Sequence, residues 1–127
     1  MDKFSERLAA GSILVTDGAT GTNLQQMGLP PGTPPEDLVF DQPDLLLRLE
    51  QAFARAGADI LLTCTFGATR LRMKDSRYAG QVEALNRAAA GLARQAAAQG
   101  VSPGGVLVGG SMGPTGLLLK PYGPLTP

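Results

Sequence analysis

The sequence predicts an α/β protein built on a parallel sheet, because short apolar runs alternate with longer segments of helical periodicity. A second observation supports this fold class: each of three apolar runs is followed at once by small polar residues. These polar segments are 16–22 (TDGATGT), 63–69 (TCTFGAT) and 109–116 (GGSMGPTG). The carboxyl ends of parallel strands gather binding groups at one edge of a sheet. We therefore expect the three segments to form the rim of one site.

The first predicted strand is Ser12–Thr16, an apolar run that begins after Gly11 and ends at Asp17. A short apolar run of this kind is typical of a strand buried in a parallel sheet. Proline and glycine are frequent in residues 27–41, so we expect this stretch to lack regular structure.

The first long helix is predicted to begin at Pro43, because proline fits the first turn of a helix. Apolar residues then recur at helical spacing, and Gly57 is suited to the C-terminal cap. The recurring residues are Leu45, Leu49, Ala52, Phe53 and Ala56. A second strand is predicted at 58–63, directly after this cap.

A second long helix is predicted between residues 82 and 96, where apolar residues share one face, and Gly100 marks its end. Residues 106–108 form the third predicted strand. Strands that alternate with helices in this order are expected to pair in parallel, through right-handed crossovers.

Composition narrows the possible partners. The 127 residues allow one domain, and eleven basic residues balance eleven acidic ones, so we expect neither nucleic acid nor a membrane as a partner. No apolar run approaches the ~20 residues of a membrane span, and the charged N-terminus lacks the apolar core of a secretory signal. A single cysteine fits a reducing compartment, so we expect a cytoplasmic protein.

Asp17 is the strongest candidate for ligand binding, because a carboxylate at a strand end can accept hydrogen bonds from an ammonium group. The small residues Gly18 and Ala19 leave their backbone amides open to a ligand carboxylate. A local alternative is equally open: Asp17 could cap a short helical turn at 20–26. The segment does not match GxGxxG, which disfavours a dinucleotide site.

Thr63 and Thr65 are the second pair of candidates. Side chains two residues apart in a strand point the same way, so both hydroxyls can face one ligand, although threonine is also simply a good strand former. Cys64 points the other way, and the sequence contains no histidine to activate it. We therefore expect a buried thiol rather than a nucleophile, and we assign no catalytic residue in this chain.

Together these segments resemble the homocysteine S-methyltransferase family, which includes the homocysteine-binding module of cobalamin-dependent methionine synthase and the betaine- and S-methylmethionine-dependent enzymes. The resemblance extends from Ile13 to the C-terminus with consistent order and spacing. It is carried by residues 17–24, 42–44, 56–69, 86–89, 92–94 and 110–116. The sequence is more similar to the methionine synthase type, because the betaine type usually carries bulkier residues after the second strand.

The resemblance implies that residues 1–127 are a partial homocysteine-binding domain, the N-terminal part of a (β/α)8 TIM barrel. A barrel of about 250 residues has eight βα units, of which this chain would supply about three. The resemblance also implies that Asp17 contacts the amino acid end of homocysteine, with Gly18 and Ala19 near its carboxylate. Thr63 and Thr65 would line the same pocket.

The resemblance further implies methyl transfer to the homocysteine thiol, giving methionine, as in methionine biosynthesis. In that family a zinc ion holds the thiolate through cysteines that belong to later segments, and the methyl donor is a corrinoid or another methyl compound. One cysteine and no histidine cannot form such a zinc site, so we expect the chain to be inactive alone.

An alternative function remains open from the residues alone. The chain could be a non-catalytic small α/β domain that binds a ligand or associates with itself. Self-association would use the edge of the third strand, which the predicted elements leave unpaired.

Overall fold

A computed structural model describes residues 3–127 and has a mixed α/β architecture. Its helices are α1 (Lys3–Ala9), α2 (Thr20–Gln26), α3 (Leu38–Asp41), α4 (Pro43–Ala56) and α5 (Val82–Ala97). Its strands are β1 (Ile60–Leu62) and β2 (Leu107–Gly109), and two short 3-10 turns lie at Pro35–Asp37 and Ala79–Gln81. The predicted order of the two long helices and the last two strands is confirmed.

The two strands pair in parallel, as predicted, with Leu61 opposite Val108. The strand predicted at 12–16 is wrong in extent, because only Thr16 forms a bridge, to Ile60. Its backbone still lies beside β1: the amide of Ile60 donates to the carbonyl of Val15 at 3.2 Å, and the amide of Asp17 donates to the carbonyl of Ile60 at 2.9 Å. The preceding Ile13 is 90% exposed, so no apolar burial holds the start of the predicted strand in the sheet.

Helix α4 forms where the periodicity and the caps predict it. Pro43 occupies the first turn, and Gly57 ends the helix with a φ of 104°, in the left-handed region that favours glycine. The helix buries Leu46 completely and Leu49 almost completely, against α2, α3 and α5. Its apolar face therefore supplies the centre of the core.

Helix α5 packs along α4 and against the sheet through small residues. Ala89, Ala93 and Ala96 are fully buried on this face, and the short side chains let the two layers approach closely. Leu61 of β1 is also fully buried, in a cluster with Ala96. One side of the two-stranded sheet is therefore covered by the long helices.

Residues 27–41 are less irregular than predicted. The 3-10 turn and α3 occupy the end of this stretch, because Pro35 can begin a helical turn and Leu38 and Val39 are buried in the core. Helix α1 is also additional to the predicted elements. Its Arg7 donates a 2.6 Å hydrogen bond to the carboxylate of Asp59, just before β1.

Several large apolar side chains remain exposed, among them Val15, Leu62, Leu118 and Tyr122. Between residues 3 and 127, β2 pairs with β1 alone, so the other edge of β2 has no partner strand. No helix in this part of the chain has the length and apolar character needed to cross a membrane.

Candidate functional site

A cavity of about 600 Å³ lies at the carboxyl ends of the strands, where the sequence predicts a site. It receives side chains from all three predicted segments, through Asp17, Thr63 and Ser111. The stretch before α3 and the basic segment after β1 also line it, through residues that include Glu36 and Arg72. The cavity therefore combines carboxylates, hydroxyls and one guanidinium group.

Asp17 is held at the cavity by the strand beside it. The amide of Leu62 donates to Oδ2 of Asp17 at 2.9 Å. This hydrogen bond holds the turn against the end of β1. Burial raises the pKa of the Asp17 carboxyl, and this hydrogen bond opposes the shift. The capping alternative is wrong: the residue at the N-cap of α2 is Ala19, and no side chain caps this helix.

Gly18 and Ala19 occupy different positions relative to the cavity. Gly18 lines it, and a Cβ atom there would lie 3.2 Å from Cε1 of Phe53, so the turn packs directly on α4. Ala19 is exposed and does not line the cavity. No hydrogen bond within the described part of the chain uses the amide of either residue, and both amides are free to donate to a ligand.

Thr63 and Thr65 point the same way, as predicted, and their Oγ1 atoms are 2.7 Å apart. The hydroxyl of Thr65 donates to the carbonyl of Ser111 at 2.8 Å, so Thr63 must donate the bond that the two hydroxyls share. The amide of Ser111 donates in turn to Oγ1 of Thr63 at 3.1 Å. Thr63 lines the cavity whereas Thr65 lies buried behind it, and the pair joins the ends of β1 and β2.

Cys64 is buried, as the sequence predicts. Burial raises the pKa of its thiol, and the nearby carboxylates of Glu36 and Glu50 raise it further, so the thiol is protonated at neutral pH. Residues 3–127 contain no cluster of three or more side chains able to ligate a metal ion. Since a protein zinc site needs three or four converging Cys, His or carboxylate ligands, the described residues do not fit a zinc site.

Glu36 is a cavity residue that the sequence analysis misses. Its Oε1 accepts a 2.6 Å hydrogen bond from the amide of Gly67, and a Cβ atom at Gly67 would lie only 3.0 Å from that oxygen. The contact joins the stretch before α3 to the loop after β1. No local pattern marks Glu36, because it lies in a stretch whose composition predicts irregular structure.

Glu50 is the second missed residue, and its environment is unusual for a charged group. It is 3% exposed, and neither of its carboxylate oxygens has a hydrogen-bond partner within residues 3–127. Burial, reinforced by the charge of Asp17, raises the pKa of Glu50 to about 8. A sequence signal does exist, because Glu50 follows Leu46 by four residues and therefore lies on the apolar face of α4.

Arg72 is the third missed residue. It lines the cavity from the basic run at 70–77, and no ion pair with its guanidinium forms in the described structure. Arg77 of the same run behaves differently, since it pairs with Asp37 at 3.8 Å and with Asp41.

The fold and cavity define an α/β protein with a candidate ligand site at the ends of parallel strands. Comparison with known sequences identifies the family: a sequence model described as homocysteine S-methyltransferase matches residues 14–126. The chain therefore belongs to the homocysteine S-methyltransferase family.

Relatives from animals agree with this assignment. An S-methylmethionine–homocysteine S-methyltransferase BHMT2 of Mus musculus is 36% identical over 113 residues, which is 88% of this chain and 29% of that protein. A betaine–homocysteine S-methyltransferase 1 of Danio rerio is 31% identical over 100 residues, covering 75% of this chain and 24% of the relative. The chain thus spans less than a third of the length of these relatives. The greater likeness to the methionine synthase type stays a prediction.

The fold is also similar to a solved structure. The metallated form of the homocysteine methyltransferase MmuM from Escherichia coli superposes with a TM-score of 0.76 at 27% sequence identity. The match covers 89% of this chain and 42% of MmuM. The structure therefore resembles part of that enzyme.

Proposed function

We propose that this chain forms the amino-acid-binding part of an enzyme that transfers a methyl group to the thiol of homocysteine, giving methionine. In this proposal residues 1–127 are the N-terminal part, about three βα units, of a (β/α)8 barrel. The main supporting observation is that the cavity at the strand ends is lined by a carboxylate, a hydroxyl and Gly18, whose backbone amide has no partner in the described residues, within a chain of this family. The next residue, Ala19, has a second such amide outside the cavity lining.

The proposed binding mode follows from the charges of an amino acid. The ammonium group of homocysteine would bind the oxygen of Asp17 that the amide of Leu62 leaves free. The substrate carboxylate would accept hydrogen bonds from the amides of Gly18 and Ala19. Thr63 faces the same cavity, and its partner Thr65 fixes its orientation from behind. Such charge-assisted hydrogen bonds contribute about 1.5–3 kcal/mol each.

We propose that activation of the homocysteine sulfur needs residues other than those described in this structure. The resemblance to the family implies that zinc lowers the pKa of the homocysteine thiol. The described residues do not fit a zinc site. The chain alone should consequently bind homocysteine without methylating it. An assay with zinc, L-homocysteine and either S-methylmethionine or methylcobalamin should give no methionine, and steady turnover would disprove this part of the proposal.

The binding proposal can be tested by a two-dimensional NMR titration of the chain with L-homocysteine. The amide signals of Gly18, Ala19, Thr63 and Ser111 should shift together and saturate. Signals of α5 at Arg87 and Arg94, exposed and outside this cavity, serve as the internal control. Saturable shifts confined to residues outside the cavity would refute the proposed site.

A second candidate function is a non-catalytic domain that associates with itself. The observation favouring it is the unpaired edge of β2, beside the exposed side chain of Leu62. An unpaired edge is a template for a strand from another copy. Light scattering separates the candidates: a monodisperse dimer that melts cooperatively would favour the self-associating domain, whereas aggregation or a molten state would favour part of a larger barrel.

A further inference from the structure

Helix α1 lies on the side of the sheet that the long helices leave open. Its Phe4 lines a cavity of about 440 Å³ together with Ile60 and Leu62 of β1 and Leu107 of β2. Side chains of a strand alternate between the two faces, so Ile60 and Leu62 point away from Leu61, which is fully buried in a cluster with α4 and α5. Helix α1 therefore covers the apolar side of the sheet opposite to the long helices.

The packing of α1 on this side is loose. None of its residues is buried, and Phe4 and Leu8 are 46% and 48% exposed. A helix of seven residues is unstable in isolation, because its few hydrogen bonds do not offset the cost of forming the first turn. Apolar burial therefore holds α1 only weakly, and polar contacts with the sheet become important for its position.

Arg7 supplies such polar contacts at the amino ends of the strands. Its Nη2 donates to Oδ1 of Asp59 at 2.6 Å and to Oγ of Ser102 at 3.4 Å, and its Nη1 donates to the carbonyl of Gly105 at 3.1 Å. The side chains of Arg7 and Asp59 are only 18% and 14% exposed. Removing one partner of an ion pair shielded from water is costly, because the other charge loses its compensation.

The site that receives Arg7 is built by the sheet and its turns. Oδ1 of Asp59 also accepts a hydrogen bond from the hydroxyl of Ser102 at 2.6 Å, and Oδ2 accepts one from the amide of Val15 at 3.0 Å. A Cβ atom at Gly104 would lie 3.0 Å from Cζ of Arg7, so the guanidinium packs closely on the turn before β2. Arg7 thus fits a well-ordered site, whereas Phe4 of the same helix lies over a cavity.

We propose that α1 is a detachable cover: it opens from the sheet as a unit while the rest of the fold stays intact, and the contacts of Arg7 keep it closed. Opening uncovers the apolar side chains of Ile60, Leu62 and Leu107, so α1 controls access to this side of the sheet. Among the described residues, Leu62 alone lines both this cavity and the candidate ligand cavity. The inference does not rest on the proposed function.

Native-state hydrogen exchange in low concentrations of urea, followed by NMR, tests the opening in the wild-type chain. The amide of Ala10, which donates to the carbonyl of Glu6 at 3.0 Å, should exchange at a rate nearly independent of urea, because opening α1 exposes little surface. The amides of Leu46 and Leu49 in α4 should exchange more slowly and with a strong dependence on urea. Equal rates and equal urea dependence at the two helices would overturn the detachable cover.

Two substitutions separate opening of α1 from unfolding of the whole chain. Arg7→Gln should increase the exchange rate of α1 roughly 10- to 100-fold, since it removes charge-assisted hydrogen bonds that only the closed state makes. Ala89→Gly, in the buried face of α5, destabilises the closed and open states equally. It should leave exchange in α1 unchanged while raising exchange in α4 by roughly fivefold.

Arg48→Gln is the matched control for the loss of a guanidinium. Arg48 is exposed on α4 and forms no ion pair in the described part of the chain, so this variant should exchange as the wild type does. Unchanged exchange of α1 in Arg7→Gln would contradict the role of Arg7. A parallel rise at both helices in Ala89→Gly would show that α1 exchanges only when the whole chain unfolds, and would overturn the proposal.

Discussion

The carboxylate of Asp17 has a structural role and, in the proposed function, a binding role. One of its oxygens accepts the amide of Leu62 and fixes the turn against β1, which leaves the other oxygen available in the cavity. A group held in this way needs little reorganisation when a ligand binds, so less free energy is lost in ordering it. A small residue suits the next position, because a Cβ atom at Gly18 would lie only 3.2 Å from the ring of Phe53.

Glu50 should make the stability of the fold depend on pH. Its pKa is about 8 in the folded chain and 4.5 in its ordinary state. Between these values the unfolded chain has lost the proton that the folded chain keeps. The free energy of unfolding should therefore fall as pH rises from about 5 to 8, by up to about 1.4 kcal/mol per pH unit.

Urea denaturation of the wild type and Glu50→Gln at pH 5, 6.5 and 8 would measure this effect. The variant should depend less on pH over this range, because an amide does not titrate and the raised pKa of Asp17 is the effect that remains near the site. Asp59 does not interfere, since its hydrogen bonds with Ser102 and Val15 and its pairing with Arg7 lower its pKa to about 2. Equal slopes for wild type and variant would show that Glu50 is ionised throughout the range.

At the scale of elements, the caps and apolar faces of α4 and α5 were predictable because they are local properties. Pro43, Gly57 and the leucine spacing each specify one geometry without reference to the rest of the fold. The strand at 12–16 was not predictable in extent, because strand length depends on neighbouring strands rather than on the run itself.

The candidate site was predictable in part, for a similar reason. Asp17, Gly18 and Thr63 lie where strands end, and strand ends can be recognised in the sequence. Glu36 and Arg72 reach the cavity only through the packing of α3 and the loop after β1, which no local pattern specifies. Glu50 could be detected as a charged residue on the apolar face of α4. The absence of hydrogen-bond partners for its carboxyl oxygens within residues 3–127 depends on the tertiary packing around it, which the local sequence does not specify.

The glycine cap at the C-terminal end of α4 should contribute to the stability of the chain. Gly57→Ala should destabilise the chain by about 1 kcal/mol, because its φ of 104° is strained for a residue with a Cβ atom. Gly80→Ala is the matched control, since Gly80 has no positive φ and its added Cβ atom would meet nothing within 4 Å. Thermal melts of both variants measure the difference, and equal melting temperatures would refute the capping role.

At the scale of the whole molecule, the proposed function assigns substrate binding to this chain and activation of the sulfur to other residues. The cavity contains charges suited to an amino acid, whereas the described residues offer no set of ligands for a metal. The match covers 42% of MmuM, and large apolar side chains such as Val15 and Leu62 are exposed in the described structure. In the proposed function, this chain therefore recognises the amino acid end of the substrate.

We expect Asp17 to anchor the ammonium group of homocysteine, and calorimetric titration of L-homocysteine into the wild type and Asp17→Asn measures its contribution. Loss of one charge-assisted hydrogen bond should weaken binding by about 10- to 100-fold. The amide side chain can still accept the bond from Leu62, so circular dichroism should show an unchanged fold. Equal affinity of the two proteins, with the fold intact, would contradict the claim.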